Sequence, residues 1–157
     1  GRSLSSTYCF ILLLNIFCTF SMTGIFWFVQ VVHYPLFASV GGQEFVVYEQ
    51  LHKKLTTLVV APLMLVELFS SFLMPLLSTN SLVRNLSGLA FLFFLLIFFS
   101  TAFIQVPLHE KLSSSQSAQV IERLVFSNWF RTILWTGKSI LLSILLVMLL
   151  NQMVTGD

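Results

Sequence analysis

Charged residues are scarce in this sequence. Asp, Glu, Lys and Arg together make up 9% of its 157 residues, whereas a soluble domain carries about 25%. So few charges cannot cover a surface that faces water, and lipid is therefore the expected solvent for most of the chain. The net charge is only +2, and no basic run with interleaved aromatic residues occurs, which excludes nucleic-acid binding.

Residues that carry common catalytic and redox motifs are scarce as well. Asp157 is the sole Asp and no nucleophile elbow occurs, which excludes a Ser-His-Asp hydrolase. The two cysteines, Cys9 and Cys18, fall on opposite sides of a helix at about 100° per residue. They therefore do not pair within one helix, and we interpret them as small buried apolar residues.

Apolar residues, in contrast, are abundant and occur in long runs. They make up 57% of the chain, with 17 Phe and a mean hydropathy of +0.92. A helix needs about 20 mostly apolar residues to span a bilayer, and lipid favours helices because they satisfy their own backbone groups. Four stretches are long enough: 8–32, 55–77, 86–106 and 129–153. The sequence therefore predicts an all-α, four-helix transmembrane bundle that forms a single integral membrane domain over residues 1–157.

The first six residues precede the first apolar run. We expect residues 1–6 to be a processing remnant that does not belong to the predicted fold. The first apolar run ends at Gln30 to His33 without a small-residue cleavage site. It is therefore interpreted as a retained span and not as a signal peptide.

Two segments of the chain read almost alike. Residues 28–35 are FVQVVHYP and residues 103–109 are FIQVPLH, and each closes a long apolar run. A polar connection and another apolar run follow each segment. The pattern predicts two parallel helical-hairpin repeats, about 8–78 and 86–153, related by an axis along the membrane normal.

Three connections join the predicted spans. Those at 33–54 and 107–127 are long, and the one at 78–85 is short. Apolar residues at helical spacing near Tyr48 and over 118–125 indicate that helices begin inside both long connections. Trp and Tyr favour membrane interfaces, so we expect an aromatic belt at the end of the bundle that carries the long connections. Its members would be Trp27, Tyr34, Tyr48 and Trp129.

Lys and Arg are distributed unequally between the two ends of the predicted bundle. The end with the long connections carries more of them than the end with the termini, where only Arg2 and Arg84 lie. An excess of Lys and Arg marks the cytoplasmic side. We therefore predict cytoplasmic connections and external termini. The residues on the cytoplasmic side are Lys53, Lys54, Lys111, Arg123 and Arg131.

Each predicted helix carries a polar stripe near its cytoplasmic end. Residues three or four apart share a helix face, and lipid does not accept such stripes, so we expect them to face one another. This places all three histidines of the chain at one membrane level. The stripe pairs are Gln30 and His33, Glu49 and His52, Gln105 and His109, and Asn128 and Arg131.

Imidazoles beside a carboxylate are ligands typical of zinc, iron or copper. The predicted metal ligands are His33, His52, His109 and Glu49. Two of the histidines could instead clasp a haem iron axially. The alternative is that each His caps a helix or lies in the headgroup layer, since no spacing matches a specific metal motif. Cofactor-binding roles are predicted for the three amides of the stripes, Gln30, Gln105 and Asn128.

Two ionisable residues lie deeper in the predicted spans. Glu67 and Lys138 both fall near the bilayer midplane at about 1.5 Å per residue. Opposite charges at one depth predict a pair, although a protonated Glu67 and a snorkelling Lys138 remain alternatives. A kink at Pro62 would open room for water or a ligand. Together with Arg131, these two residues are the predicted catalytic groups.

The polar motifs of both halves resemble those of a known group of proteins. In the first half, the motif residues are 30–35, Tyr48-Glu49 with His52, and Pro62 with Glu67. In the second half, they are Gln105, Pro107, His109, 123–125, 128–129 and 131–132. At these positions the chain resembles small uncharacterised bacterial four-helix membrane proteins. A more distant similarity is to anthrone-oxygenase-like membrane proteins, which also place a His and a Pro near the end of the first helix. The resemblance implies the four-helix fold and a bacterial inner membrane.

Three functions fit these patterns. The first is a membrane-embedded redox protein with a metal ion or haem at the histidines, where Arg131 and Lys138 stabilise an anionic small-molecule ligand. The second is a small proton-coupled transporter that uses Glu67. The third is a non-catalytic subunit of a homo-oligomer or of a larger membrane complex, whose polar stripes hold helices together.

Overall fold

Four long helices form the part of the chain that the computed structural model describes, residues 5–156. The helices are α1 (Ser6–Ser39), α2 (Gly42–Leu77), α3 (Ser81–Leu112) and α4 (Ala118–Thr155). No strand occurs within residues 5–156. Each helix is long and apolar enough to cross a membrane. The predicted all-α, four-helix bundle is therefore confirmed, and the helices support an integral membrane protein in a lipid bilayer.

Polar residues fix where the helices begin. The side chain of Ser5 accepts a hydrogen bond from the first turn of α1, and Asn80 and Ser117 do the same for α3 and α4. These residue types satisfy backbone N–H groups that the first turn leaves open. At the end of α4, Gly156 adopts φ 71°, a left-handed conformation that favours glycine.

The predicted long connections at 33–54 and 107–127 are wrong in length. The helical path of α1 continues to Ser39 and α2 already begins at Gly42, so only residues 40 and 41 connect them. Likewise α3 continues to Leu112 and α4 begins at Ala118. The helical starts expected within both connections are confirmed. The predicted ends of α1 and α3 lie close to Pro35 and Pro107, whereas both helices continue past these prolines.

A widened turn carries each of these two helices past its proline. Residues Val29–His33 and Thr101–Gln105 form π-helical turns, and Pro35 and Pro107 each follow two residues later. Proline has no N–H and its ring clashes with the carbonyl four residues before it. A turn with i to i+5 bonds is an interruption that a helix can accommodate without ending. The two halves share this feature, while the repeat itself stays a prediction.

The bundle has an up-down-up-down arrangement in which α1 and α3 each pack against α2 and α4. One apolar cluster, which includes Phe37, Phe45 and Leu124, lies at the end with the connections between α1 and α2 and between α3 and α4. A second cluster, which includes Met74 and Leu145, lies at the other end. We call the first end the loop end. Large apolar side chains such as Phe10, Phe69, Phe103 and Ile133 are exposed, as expected for a surface that faces lipid.

Candidate metal centre

The three histidines converge at the loop end of the bundle. His33 is the last residue of the π-helical turn of α1, and His52 lies near the start of α2. His109 lies in the short segment of α3 that follows its π-helical turn. His33 Nε2 lies 2.7 Å from His52 Nδ1, and the His52 and His109 rings stack with centroids 5.3 Å apart. The structure therefore brings all three imidazoles close together at one end of the bundle, as the polar stripes predicted.

A chain of hydrogen bonds runs from Glu49 across the site to Arg131. Glu49 Oε1 lies 2.5 Å from His109 Nδ1, and His109 Nε2 lies 3.0 Å from the hydroxyl of Tyr34. Arg131 Nη2 donates to the same hydroxyl at 3.3 Å. Because Arg131 can only donate, the Tyr34 proton is free to point at His109 Nε2, which leaves Nδ1 to donate to Glu49. Four residues from four different helices are therefore linked directly.

One oxygen of Glu49 has no partner in this chain of bonds. The Glu49 side chain is fully buried, and its Oε2 is the one buried side-chain polar atom within residues 5–156 that lacks a hydrogen bond. A buried carboxylate oxygen without a donor is costly. A cation bound beside Glu49 would remove that cost.

Glu49, His52 and His109 together form a group that suits a metal ion. Each offers one ligand atom, and these atoms all lie within 4.8 Å of one another. His33 is not part of this group, and its Nε2 lies within hydrogen-bond distance of His52 Nδ1. In metal sites, a partner of this kind fixes the ring orientation and tautomer of the ligand. Three of the four predicted ligands therefore come together, and the fourth, His33, contacts one of them, His52.

A cavity of about 380 Å³ lies next to these residues, mainly between α2 and α3. His52, His109, Gln105 and Arg131 contribute to its wall, so four predicted site residues line one space. The rest of the wall is largely apolar and includes Phe26, Val60, Ala61, Met64 and Val106. Mostly apolar cavities with a few convergent polar groups are typical of small-molecule sites.

Arg131 lies at the inner wall of this cavity and is only 3% exposed. Its guanidinium donates to Asn128 from Nε and Nη2, to Thr101 from Nη1 and to Tyr34 from Nη2. The ring of Phe26 covers it, with the guanidinium carbon 4.5 Å from the ring centroid. No carboxylate of residues 5–156 lies within salt-bridge distance of Arg131. Its burial also means that it does not contribute to the excess of exposed cations at the loop end.

The three amides predicted to bind a cofactor are engaged by protein groups. Asn128 Nδ2 donates to Gln30 Oε1 at 2.8 Å, and Gln30 donates to the backbone of α4 at 3.0 Å. Gln105 accepts from Ser100 and donates to Ser127. Gln30 and Asn128 therefore hold α1 to α4 and orient Arg131, while Gln105 also lines the cavity.

Glu67 and Lys138 form the predicted deep pair. Lys138 Nζ lies 2.7 Å from Glu67 Oε2, and both side chains are fully buried. Trp135 donates to both carboxylate oxygens, and Lys138 also donates to Ser71. About 22 Å of helix separates Glu67 from His52, at about 1.5 Å per residue. The pair is therefore a separate, fully bonded cluster and not part of the group formed by Glu49, His52 and His109.

Tyr34 belongs to the site, and its predicted place in the aromatic belt is wrong. It is 4% exposed and bridges His109 and Arg131. Its position four residues after Gln30 puts it on the polar face of α1, which is the signal that could have placed it in the site. Trp27 and Trp129 do lie at the surface, about 40% exposed, with their rings in contact.

Comparisons with known proteins add no assignment to this geometry. No protein-family model, no curated protein and no solved structure matches the chain.

Proposed function

We propose that the chain is an integral membrane protein that binds a divalent transition-metal ion at Glu49, His52 and His109. The observation that supports this most is the meeting of two imidazoles and one carboxylate within 4.8 Å, at a place where Glu49 Oε2 is buried and unbonded. An ion there would accept the free carboxylate oxygen as a ligand. It would also replace the hydrogen bond between Glu49 and His109.

The ligand set favours an ion with open coordination positions. Two His and one carboxylate leave positions free on iron, and the same number of protein ligands is typical of catalytic zinc. His52 and His109 also line the cavity, so a small molecule in the cavity could reach those positions. A redox role follows if the ion is iron, and a hydrolytic role follows if it is zinc.

A metal ion fits the histidines better than haem does. The rings of His52 and His109 are inclined by 30°, and their centroids lie 5.3 Å apart. Axial ligands of a haem have to lie on opposite sides of the macrocycle. Stacked imidazoles at this spacing leave no plane between them for a porphyrin.

The transporter hypothesis is less well supported. Glu67 would have to lose and regain a proton, yet both of its oxygens accept hydrogen bonds from Trp135 and one is paired with Lys138. Both charged side chains are fully buried. These contacts favour a structural role in which the pair holds α2 against α4.

Titration of the purified protein with Co²⁺ in detergent tests the metal site through the visible absorption of the bound ion. We expect saturable binding by the unaltered protein. His52→Ala and His109→Ala should weaken it by more than the roughly 10–100-fold that the loss of an outer-shell partner causes. His33→Ala, which removes such a partner, should stay within that range.

A matched control is available next to the site. Glu110 follows His109 in sequence but pairs with Lys53 at the surface, with 62% of its side chain exposed. Glu110→Gln should leave Co²⁺ affinity unchanged, whereas Glu49→Gln should reduce it strongly. If no saturable absorption develops, or if all variants bind alike, the proposed metal site is refuted.

A further inference from the structure

The guanidinium of Arg131 is the second group near the cavity whose bonding the protein leaves incomplete. An arginine has five N–H donors, and four hydrogen bonds occupy four of them at Arg131. The remaining N–H is on Nη1, the nitrogen that also bonds Thr101. Within residues 5–156 no carboxylate lies within salt-bridge distance of this charge. A buried cation without a counter-ion is costly, so an anion is what this position lacks.

The shape and lining of the cavity define what that anion would be attached to. Its α2 wall runs along one helix face from Lys53 to Met64, a length of about 16 Å at 1.5 Å per residue. Towards Met64 this face of α2 is apolar, because Val60 and Ala61 precede Met64 in the lining. Exposed residues such as Val106 also line the cavity. The cavity is therefore open at the side of the bundle.

From these observations we infer that the cavity binds an amphiphilic carboxylate, a single-chain molecule with one negative charge. The carboxylate accepts a hydrogen bond from the free N–H of Arg131, and the apolar chain lies along Val60, Ala61 and Met64. One charge balances one guanidinium. A volume of about 380 Å³ suits a single chain and not a two-chain phospholipid. This ligand goes beyond the proposed metal ion, and its binding to Arg131 does not require the ion.

Binding of radiolabelled dodecanoate to the protein in phosphatidylcholine nanodiscs tests the inference, with empty nanodiscs subtracted. We expect saturable binding by the unaltered protein. Arg131→Met should weaken it by at least about tenfold, because a hydrogen bond to a charged group is lost. Dodecanol, which has the same chain without the charge, should not compete. Arg123→Met removes an exposed arginine from the same helix and should have no effect.

A second variant keeps the test valid if loss of Arg131 disturbs folding. Ala61→Phe places a ring in the cavity and leaves the Arg131 side chain itself unaltered, and it should also abolish dodecanoate binding. Its control is Leu58→Phe, which adds the same ring at a side chain 66% exposed on the outer face of α2. The inference is overturned if the unaltered protein shows no saturable binding, if Arg131→Met and Ala61→Phe bind like it, or if dodecanol competes equally.

Carboxylate binding measured with and without the metal ion distinguishes this inference from the proposed metal site. Each titration is run after chelation and again after loading with Co²⁺. Binding in both states that depends on Arg131 supports the inference, whatever the metal titration shows. Binding that requires the ion and survives Arg131→Met would place the carboxylate on the metal and overturn the inference while leaving the metal site intact.

Discussion

Two buried carboxylates of α2 have opposite surroundings at the scale of single residues. Both oxygens of Glu67 accept hydrogen bonds, from Trp135 and Lys138, whereas Glu49 Oε2 has no partner in the described part of the chain. A saturated carboxylate with its own counter-ion contributes to the cohesion of the bundle. A carboxylate with a free buried oxygen is available to a ligand. This contrast supports a structural role for Glu67 and a binding role for Glu49.

Removing one member of the deep pair should destabilise the bundle strongly. Lys138→Met leaves the Glu67 carboxylate buried without its cation, a change that costs roughly 3–5 kcal/mol in buried pairs. The double variant Glu67→Gln/Lys138→Met removes both charges and should regain most of that loss. Unfolding of the purified protein in mixed micelles with increasing SDS, followed by tryptophan fluorescence, measures the free energy of unfolding.

The surface pair of Lys53 and Glu110 is the control for this comparison. Its members are 31% and 62% exposed, and exposed ion pairs contribute less than about 1 kcal/mol. Lys53→Met should therefore have little effect on unfolding. Equal losses for Lys53→Met and Lys138→Met, or a double variant no more stable than the single one, would contradict a structural role for the deep pair.

At the scale of elements, the π-helical turns decide which side chains reach the site. In α3 the turn Thr101–Gln105 lies between the membrane-spanning part of the helix and the segment that carries His109. A π-helical turn holds one more residue than the α-helical turn it replaces. It therefore rotates everything after it by about 100° relative to a regular helix.

Pro107→Ala should weaken metal binding for that reason. Alanine restores the N–H and removes the ring clash, so α3 is free to relax to a regular helix that turns His109 away from Glu49. We expect Co²⁺ affinity to fall by at least about tenfold, a loss comparable to that of an outer-shell partner, while the protein stays helical by circular dichroism. Pro75→Ala, near the other end of α2, is the control. Unchanged affinity in Pro107→Ala would show that the turn does not position His109.

The sequence was sufficient to predict the four spans but not where the helices end. Long apolar runs force helices in lipid, so the number and type of elements follow directly. Proline usually marks the end of a helix. The first and third predicted spans therefore end near Pro35 and Pro107. Whether a helix stops or widens at a proline depends on the packing around it, which a single sequence does not contain.

The site was predictable as a set of polar faces but not as a set of contacts. Stripes at three- and four-residue spacing placed the histidines together and matched Glu67 with Lys138 by depth. The rotation of each helix about its own axis decides finer points. It put His33 behind His52 and brought Tyr34 between His109 and Arg131. Those rotations follow from the π-helical turns and from core packing, and no residue spacing reports them.

At the scale of the whole molecule, the bundle separates two polar clusters by apolar packing. The proposed metal centre lies at the loop end, and the Glu67 and Lys138 pair lies deeper between the two apolar clusters. Exposed cations at the loop end still outnumber the one described cation at the other end, Arg84. The predicted orientation, with this end in the cytoplasm, would place the proposed metal centre near the cytoplasmic face.

Cysteine labelling tests this orientation in a background where Cys9 and Cys18 are replaced by Ala. Ser115→Cys lies in the connection between α3 and α4, and Thr79→Cys lies between α2 and α3, and both positions are exposed. With expression in bacterial cells, a membrane-impermeant maleimide should label position 79 on spheroplasts and position 115 only on inverted vesicles. The reverse pattern would invert the orientation, and labelling of both positions from one side would contradict the four-span topology.

Elemental analysis of the purified protein is the most direct test of the proposed metal centre. We expect about one transition-metal ion per chain, as one three-ligand site requires, both in the unaltered protein and in Glu110→Gln. We expect almost none in Glu49→Gln, because that variant loses the carboxylate whose buried oxygen is unbonded. Equal metal content in all three proteins, or no bound transition metal in any of them after growth in metal-supplemented medium, would contradict it.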